Sequence, residues 1–147
     1  GLLQRVSEAS VEVGGEPVAA IGLGLLVLVG IERGDTASEG ERLLERLLRC
    51  RVFEDDRGRM NLDLRQAGGA LLLVPQFTLA ADTAKGNRPG FSRAADPELG
   101  RTLFAGLVES GRATGVSLEA GVFGATMRVR LCNEGPATFW LQVAPRQ

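Results

Sequence analysis

The sequence contains no histidine and no tyrosine, and it has only two cysteines and one tryptophan among 147 residues. The missing histidine removes the commonest general base and the commonest metal ligand of proteins, so Ser-His-Asp and Cys-His catalysis are excluded. Cys50 and Cys132 are far apart and form no CxxC motif, which predicts reduced thiols and neither a zinc site nor a disulfide framework. The acidic segment Glu54–Gly58 lacks the alternating spacing of a calcium loop and is predicted to be a turn. We therefore expect no metal and no other cofactor.

The sequence also lacks an excess of charge of one sign and lacks long apolar segments. Seventeen Lys and Arg nearly balance 18 Asp and Glu. No global basic field would gather long nucleic acids, so we expect no DNA partner and only a local contact with any RNA. The most apolar run, Ile21–Ile31, is about half the length that spans a bilayer, and no basic region with a cleavage site precedes it. We expect a soluble, cytoplasmic protein without a membrane partner.

The apolar residues that are present suffice for one core. A hydrophobic content of 44% over 147 residues supports a well-buried core, and the length is too short for two ordinary domains, so residues 1–147 are predicted to form a single domain. Leu2–Val13 alternates between apolar and polar residues, which predicts a strand with one solvated face. Gly14-Gly15 predicts a tight turn into a second strand, Val18–Ile31. An antiparallel hairpin therefore opens the predicted fold.

Two helices are predicted from their starts. Thr36 and Glu39 match a capping box at the start of the first helix. Asp96 is the predicted N-cap of the second helix, with Pro97 at its first helical position. Apolar stripes at helical spacing follow each start: Leu43, Leu44, Leu47 and Leu48 in the first helix, and Leu99, Leu103, Phe104, Leu107 and Val108 in the second.

The other strands are predicted at Arg51–Phe53, Ala70–Leu79, Thr126–Leu131 and Thr138–Val143, and Asn133–Pro136 is predicted to be a turn between the last two. The order β-β-α-β-β-α-β-β indicates an α+β fold. We expect a layered β-β-α sandwich, in which helices pack on one face of largely antiparallel β-sheets.

A candidate site lies between Leu71 and Phe91, where an apolar strand ends in Pro75-Gln76-Phe77-Thr78-Leu79 and a polar loop follows. Thr78 is a candidate nucleophile, but a threonine hydroxyl needs a neighbouring base, and the sequence places none beside it. Gln76 cannot act as a base, and Lys85 could do so only if it were strongly desolvated, which is unusual for a lysine in a polar loop. Thr78 is therefore either catalytic or a strand residue that makes a local hydrogen bond, and an active site here would depend on backbone amides and on groups of the substrate.

Several ordered segments resemble D-aminoacyl-tRNA deacylase nearly end to end: LLQRVSEASVEV, IGLGLLVLVGIERGD, RVFEDDRGRMNLDL, QFTLAADT, GVFGATM and NEGPATFWLQV. The family motifs S-Q-F-T-L and N-x-G-P-x-T fall on Pro75–Leu79 and Asn133–Thr138. The resemblance implies a homodimeric hydrolase that binds the acceptor 3′ end of tRNA. It would cleave the ester that joins a D-amino acid, or glycine mischarged on tRNA-Ala, to the terminal adenosine.

The resemblance also implies how chirality is read. In the family, a cis Gly-Pro peptide from each subunit enters the site of the other, and its carbonyls hold the substrate's amino group. Gly135 and Pro136 would form this chiral filter, and Arg5 resembles the arginine that braces it.

The resemblance also implies three catalytic residues, Gln76, Phe77 and Thr78, and one that binds the adenine, Phe91. Amides around Phe77 and Thr78 would form the oxyanion hole, and Gln76 would position the substrate. Phe91 would line the adenine pocket. The family's threonine has been interpreted both as a nucleophile and as a bystander; with no base near Thr78, we expect water to attack with help from the ribose 2′-hydroxyl.

One departure from the family motif is Pro75, which stands where the family has serine and which removes a hydroxyl and a ladder donor. An animal deacylase that tolerates L-alanine has proline here, so relaxed specificity for L-alanyl-tRNA is an alternative, although Phe77 and the NEGPAT spacing follow the D-specific pattern. A small-molecule esterase with Thr78 as its nucleophile, and a non-catalytic module that binds nucleotides or RNA ends, are further alternatives. Three cations around the loop either contact tRNA phosphates or are solvated: Lys85, Arg88 and Arg93.

Overall fold

The computed structural model describes residues 1–147 and contains eight strands, two α-helices and one 3-10 turn. In chain order the elements are β1 (Leu2–Val13), β2 (Glu16–Ile21), β3 (Gly24–Val29), α1 (Ala37–Arg49), β4 (Phe53–Glu54), β5 (Met60–Leu62), β6 (Ala70–Pro75), the 3-10 turn (Phe77–Ala80), α2 (Pro97–Ala113), β7 (Leu118–Ala120) and β8 (Met127–Trp140). Neither helix is both long and apolar enough to cross a membrane.

Strand β1 organises the main sheet because it pairs along both edges. One edge carries β8 antiparallel over the full length of β1, and the other carries β3 and β2 antiparallel, one after the other. The predicted opening hairpin is therefore confirmed. Its second arm was predicted as one strand over Val18–Ile31, whereas the structure interrupts it at Gly22 and Leu23 and ends it at Val29.

The α+β class is confirmed, but the sheet is mixed. Strand β3 pairs parallel with β6, and β6 pairs parallel with β7. Helix α1 lies in the connection from β3 to β6 and helix α2 in the connection from β6 to β7, and such helical crossovers return the chain parallel. Strand β7, only three residues long, was not predicted.

Alternation along the central strands builds two apolar layers. Leu25, Val27 and Val29 of β3 pack with the leucines of α1 and with α2, whereas Leu26 packs on the opposite face. Strand β6 alternates in the same way. Both helices thus cover one face, as predicted. The second face is buried by the sheet itself, which curls so that residues of β1 and β2 close over β3 and β6.

The first helix begins as its sequence predicts. The Thr36 hydroxyl accepts from the Ser38 amide at 3.3 Å, and the Thr36 amide donates to the Glu39 carboxylate at 2.6 Å. The Thr36 hydroxyl also donates to this carboxylate at 2.7 Å, and Arg42 contacts it at 3.0 Å. Hydrogen bonds from the Thr36 hydroxyl and amide, then from Arg42, lower the pKa of Glu39 to about 2. The second helix begins at Pro97 with Asp96 as its cap, also as predicted.

Replacing Glu39 by glutamine is expected to lower the melting temperature at pH 7. A carboxylate whose pKa is depressed stabilises the fold fully above its unfolded pKa of 4.5, and this stabilisation is lost as the pH falls through about 2. The difference in melting temperature between wild type and Glu39→Gln should therefore shrink between pH 4.5 and pH 2. Glu41→Gln, an exposed change on the same helix, is the control and should show no such trend. A difference that stays constant over this range would contradict the capping-box assignment.

Candidate active site

The segment after β6 forms a tight turn over Gln76–Ala80, which we call the 76–80 turn. The sequence predicted a strand to Leu79, but β6 ends at Pro75, which pairs with Val29, the last residue of β3. The Gln76 amide donates to the Val29 carbonyl at 2.8 Å, and the Leu79 amide then donates back to the Gln76 carbonyl at 3.2 Å. The residues that follow Pro75 in the motif, Gln76–Leu79, therefore lie outside the sheet.

Gly30, directly after β3, leaves room for this turn. A Cβ at position 30 would lie 2.9 Å from Cβ of Leu79 and 3.4 Å from the Gln76 carbonyl oxygen. Contacts below 3.0 Å are not tolerated by a real Cβ, so a larger residue would push the turn away. Because Gly30 lies inside an apolar run, the sequence offered no sign of this role.

Thr78 lies on the turn and is exposed. Its hydroxyl oxygen accepts a hydrogen bond of 2.5 Å from the Gln76 side-chain amide. No carboxylate or amine is hydrogen-bonded to Thr78, so nothing in this chain is placed to remove its proton. The structure thus shows the local hydrogen bond that the sequence predicted, on a 3-10 turn and not on a strand.

The backbone amides of Phe77 and Thr78 precede the first hydrogen bond of the turn. The first amides of a helical turn have no partner within it, and no side chain caps this turn. Two adjacent donors at an exposed surface can stabilise an anionic oxygen.

Two exposed aromatic rings lie beside these amides. The rings of Phe77 and Phe91 have their centroids 5.2 Å apart at 56°, and their exposed fractions are 59% and 44%. Phe91 lies beside Phe77 because Asp82 and Gly90 exchange backbone hydrogen bonds of 2.7 and 2.9 Å, which bring the chain back toward the turn. An exposed aromatic pair is a surface on which a flat ring, such as a nucleobase, can stack.

The second motif is a bulge within β8. The predicted turn between two strands is wrong, because Met127–Trp140 is one strand that pairs with β1 on both sides of the motif. Val6 pairs with Asn133 and Gln4 with Thr138, so Arg5 alone faces four residues of β8. The surplus residues protrude from the sheet, and we call Glu134–Pro136 the 134–136 loop. Its Gly135–Pro136 peptide bond is cis.

Hydrogen bonds from the side chains of Arg5 and Asn133 hold both ends of the 134–136 loop. Arg5 is only 6% exposed and donates to the carbonyls of Val52 at 2.6 Å and of Glu134 at 3.0 Å. The Asn133 side-chain amide donates to the carbonyls of Arg5 at 3.0 Å and Ala137 at 3.2 Å, and Ala137 is fully buried. The residues on which the loop stands are therefore fixed, and Arg5 bonds directly to the loop at the Glu134 carbonyl. The part played by Asn133 was not predicted.

Pro75 removes a donor from the edge of β6 that faces β7, as the sequence predicted. The amides of β6 alternate in direction, and the Gln76 amide points to β3. On the β7 side, the Gly121 amide donates to the Leu73 carbonyl at 2.8 Å, and a Cβ on Gly121 would lie 3.3 Å from Cδ of Pro75. The chain therefore continues beside Pro75, but proline has no N–H to donate, and the pairing of β6 with β7 ends at Leu73 and Ala120.

The two motifs do not meet within one chain, since no hydrogen bond joins the 76–80 turn to the 134–136 loop. A cleft of about 300 Å³ between the helices and the C-terminal segment is lined by Leu79 and Ala80 but not by Gln76, Phe77 or Thr78. Phe77 and Thr78 are instead exposed at the surface.

The family model for D-Tyr-tRNA(Tyr) deacylase matches residues 2–142. A D-aminoacyl-tRNA deacylase of Thioalkalivibrio sulfidiphilus is 59% identical over 144 residues, which are 98% of this chain and 97% of that protein. The chain belongs to the D-aminoacyl-tRNA deacylase family. This confirms the resemblance seen in the motifs and makes the chain an enzyme of a hydrolase family.

Two solved structures resemble this deacylase-family chain throughout. One, described as a c-Myc DNA unwinding element binding protein, has a TM-score of 0.92 and 38% identity and covers 98% of both chains. The other, described as a probable eukaryotic D-amino acid tRNA deacylase, has a TM-score of 0.80 with 19% identity, covers 94% of this chain and 95% of that one, and shows the shared fold. Our expectation that this chain has no DNA partner stays a prediction.

Proposed function

We propose that this chain hydrolyses the ester between a D-amino acid and the terminal adenosine of tRNA. One observation carries the proposal: unbonded amides of the 76–80 turn lie beside the exposed pair Phe77 and Phe91. An ester bound there would have its carbonyl oxygen near the amides and its adenine near the rings. Stacking of a base on an aromatic ring contributes about 1–3 kcal/mol, and one oxyanion donor contributes about 3 kcal/mol to transition-state stabilisation. A tRNA substrate favours a cytoplasmic location.

In the mechanism that we propose, water is the nucleophile. The Thr78 hydroxyl already accepts from Gln76, and no basic group is bonded to it. Water attacks the ester carbonyl, the amides of Phe77 and Thr78 stabilise the oxyanion, and the ribose 2′-hydroxyl of the tRNA assists proton transfer to the leaving 3′-oxygen. Gln76 positions the substrate. This arrangement argues against the small-molecule esterase, which requires an activated threonine.

We further propose that the active enzyme is a homodimer in which the 134–136 loop of one subunit completes the site of the other. A Cβ on Gly135 would have its nearest neighbour 3.9 Å away, so nothing in this chain requires glycine there. The small residue leaves the loop backbone open to a substrate or a second chain that approaches it. Strand β8 has an unpaired edge, and Leu131, Phe139 and Trp140 on it are exposed by 39%, 39% and 55%. A partner subunit would cover these apolar side chains.

In this dimer the carbonyls of Gly135 and Pro136 hold the substrate's amino group. An L side chain would then meet the backbone of the loop, whereas a D side chain points outward and glycine has none. We therefore propose activity on D-aminoacyl-tRNA and on glycine mischarged on tRNA-Ala. The buried Pro75 leaves the turn's hydrogen bonds intact, which favours strict specificity over cleavage of L-alanyl-tRNA.

The test is deacylation of matched D- and L-tyrosyl-tRNA, with glycyl-tRNA-Ala and L-alanyl-tRNA in parallel. We expect loss of the D and glycyl esters while both L esters persist. Cleavage of L-alanyl-tRNA as well would show that specificity is relaxed. If no ester is cleaved, the hydrolase proposal is wrong and a binding module remains.

Replacing Thr78 by valine keeps the shape of the side chain and removes the hydroxyl. We expect kcat on D-tyrosyl-tRNA to fall by less than about tenfold, whereas loss of a true nucleophile costs about 10⁴-fold or more. Thr78→Ser, which keeps the hydroxyl, is the matched control. If kcat falls by about 10⁴-fold in Thr78→Val but not in Thr78→Ser, Thr78 is the nucleophile and our mechanism is wrong.

A further inference from the structure

The loop 83–89, which lies in the sequence between the 76–80 turn and Phe91, is closed by local hydrogen bonds. Backbone hydrogen bonds between Asp82 and Gly90 close its base, and the Asp82 carboxylate accepts from the Ala84 amide at 2.9 Å. Gly86 adopts a positive φ of 70° at the tip, where other residues are strained. The tip therefore projects as a short closed loop.

The cations near this loop differ in their partners. Arg93 forms an ion pair of 2.9 Å with Glu32, and the Arg33 guanidinium donates to the Ala94 carbonyl at 3.3 Å. The exposed side chains of Lys85 and Arg88, by contrast, take part in no salt bridge or hydrogen bond. Of the three loop cations in the sequence, the structure leaves two free to bind a ligand.

The position of these two cations indicates which ligand they suit. Phe91 follows Arg88 by three residues, so their backbones are at most about 11 Å apart. That distance corresponds to about three stacked nucleotides of one strand at about 3.4 Å each. A strand whose last base stacks on Phe91 would carry its preceding phosphates past the loop. With a net charge of −1 on the whole chain, such a contact is local.

We infer that Lys85 and Arg88 bind phosphates of the tRNA strand that leads into the terminal adenosine, and that Arg93 does not. This inference rests on the proposed function. The two side chains supply affinity for the polynucleotide and take no part in the cleavage step. They would also let an enzyme without a basic field favour an aminoacyl ester on tRNA over the same ester on a free nucleoside.

The test compares D-tyrosyl-tRNA with D-tyrosyl-adenosine, which has the same ester and no phosphate. For the double variant Lys85→Ala/Arg88→Ala we expect kcat/KM on the tRNA to fall about tenfold or more at low salt. Each lost phosphate contact lowers the slope of log(kcat/KM) against log[salt] by about 0.7–0.9, so the slope should fall by about 1.4–1.8. Cleavage of D-tyrosyl-adenosine should not change. Arg57→Ala/Arg59→Ala, an equal charge change on the exposed turn before β5, should change neither substrate.

Three results would overturn the inference: an unchanged rate and salt slope on the tRNA in the double variant, an equal fall in the control variant, or an equal loss on D-tyrosyl-adenosine. The last result would assign the loop to the adenosine pocket. Equilibrium binding of uncharged tRNA at several salt concentrations tests the same contact without hydrolysis. If wild type cleaves neither ester, the proposed function fails, yet the binding slopes of wild type and double variant still decide whether the loop holds phosphates.

Discussion

Replacing Arg5 by methionine is expected to lower the free energy of unfolding by about 3 kcal/mol and to reduce kcat/KM for D-tyrosyl-tRNA at least tenfold. Arg5 is buried and is the donor to the carbonyls of Val52 and Glu134. An unsatisfied buried acceptor costs about 1–3 kcal/mol; methionine leaves the buried Val52 carbonyl in that state and also removes the partly buried bond to Glu134. The Glu134 carbonyl is adjacent to Gly135, so the loss should also allow the 134–136 loop to shift. Chemical denaturation and deacylation rates measure the two effects.

Two variants separate a local effect on the loop from general destabilisation. Leu47→Ala removes a fully buried side chain of α1 and should cost about 2–5 kcal/mol, yet kcat/KM should stay close to wild type below its melting range. Arg5→Lys keeps the charge but offers a compact ammonium in place of the two-pronged guanidinium, so an intermediate loss is expected. Our prediction also requires the ratio of D to L cleavage to fall in Arg5→Met. A folded Arg5→Met protein with wild-type rates and selectivity would show that Arg5 does not brace the chiral filter.

The variant Gly30→Ala is expected to reduce kcat about 100-fold while the protein stays folded. Its added methyl would meet Cβ of Leu79 at 2.9 Å, and the Gln76 carbonyl and Ala80 amide lie just beyond. Overpacking of this kind costs about 1–3 kcal/mol. Because the contact falls on the 76–80 turn, the turn must move, and a displacement of about 1 Å at reacting groups costs about 10²-fold. Rates on D-tyrosyl-tRNA together with thermal melts test both parts.

The control for this change is Gly106→Ala in the middle of α2. A Cβ there has no neighbour within 4 Å, and alanine is favoured over glycine in a helix by about 1 kcal/mol. We expect this variant to be as stable as wild type or more so, with unchanged kcat. If Gly30→Ala retains wild-type kcat, then the geometry of the turn does not depend on the space behind it.

The elements predicted correctly are those whose cause lies within a few residues. The Thr36 capping box, the N-cap Asp96 before Pro97, and the alternation along β1 each depend on hydrogen bonds or side-chain directions between near neighbours in the chain. Such local rules hold before any tertiary contact forms. The Gly14-Gly15 turn belongs to the same group, since both residues take a positive φ.

The elements predicted wrongly depend on distant partners. Strand β6 ends at Pro75, level with the end of its partner β3 at Val29, and β8 continues through its motif because it pairs with β1 on both sides. Nothing near Ala70–Leu79 in the sequence distinguishes a longer strand from a strand and a turn. The short β7 is a strand because it meets the edge of β6, not because of a pattern of its own.

The identity of this chain was contained in its sequence, because the motifs of the deacylase family are ordered strings of residues that the family comparison confirmed from residue 2 to residue 142. The arrangement of the candidate site was not. The space that Gly30 leaves for the 76–80 turn, the hydrogen bond from Asn133 to the Arg5 carbonyl and the ion pair of Arg93 with Glu32 are contacts between segments far apart in the chain. Residue types show which contacts are chemically possible, whereas only the folded backbone brings particular partners within hydrogen-bonding distance.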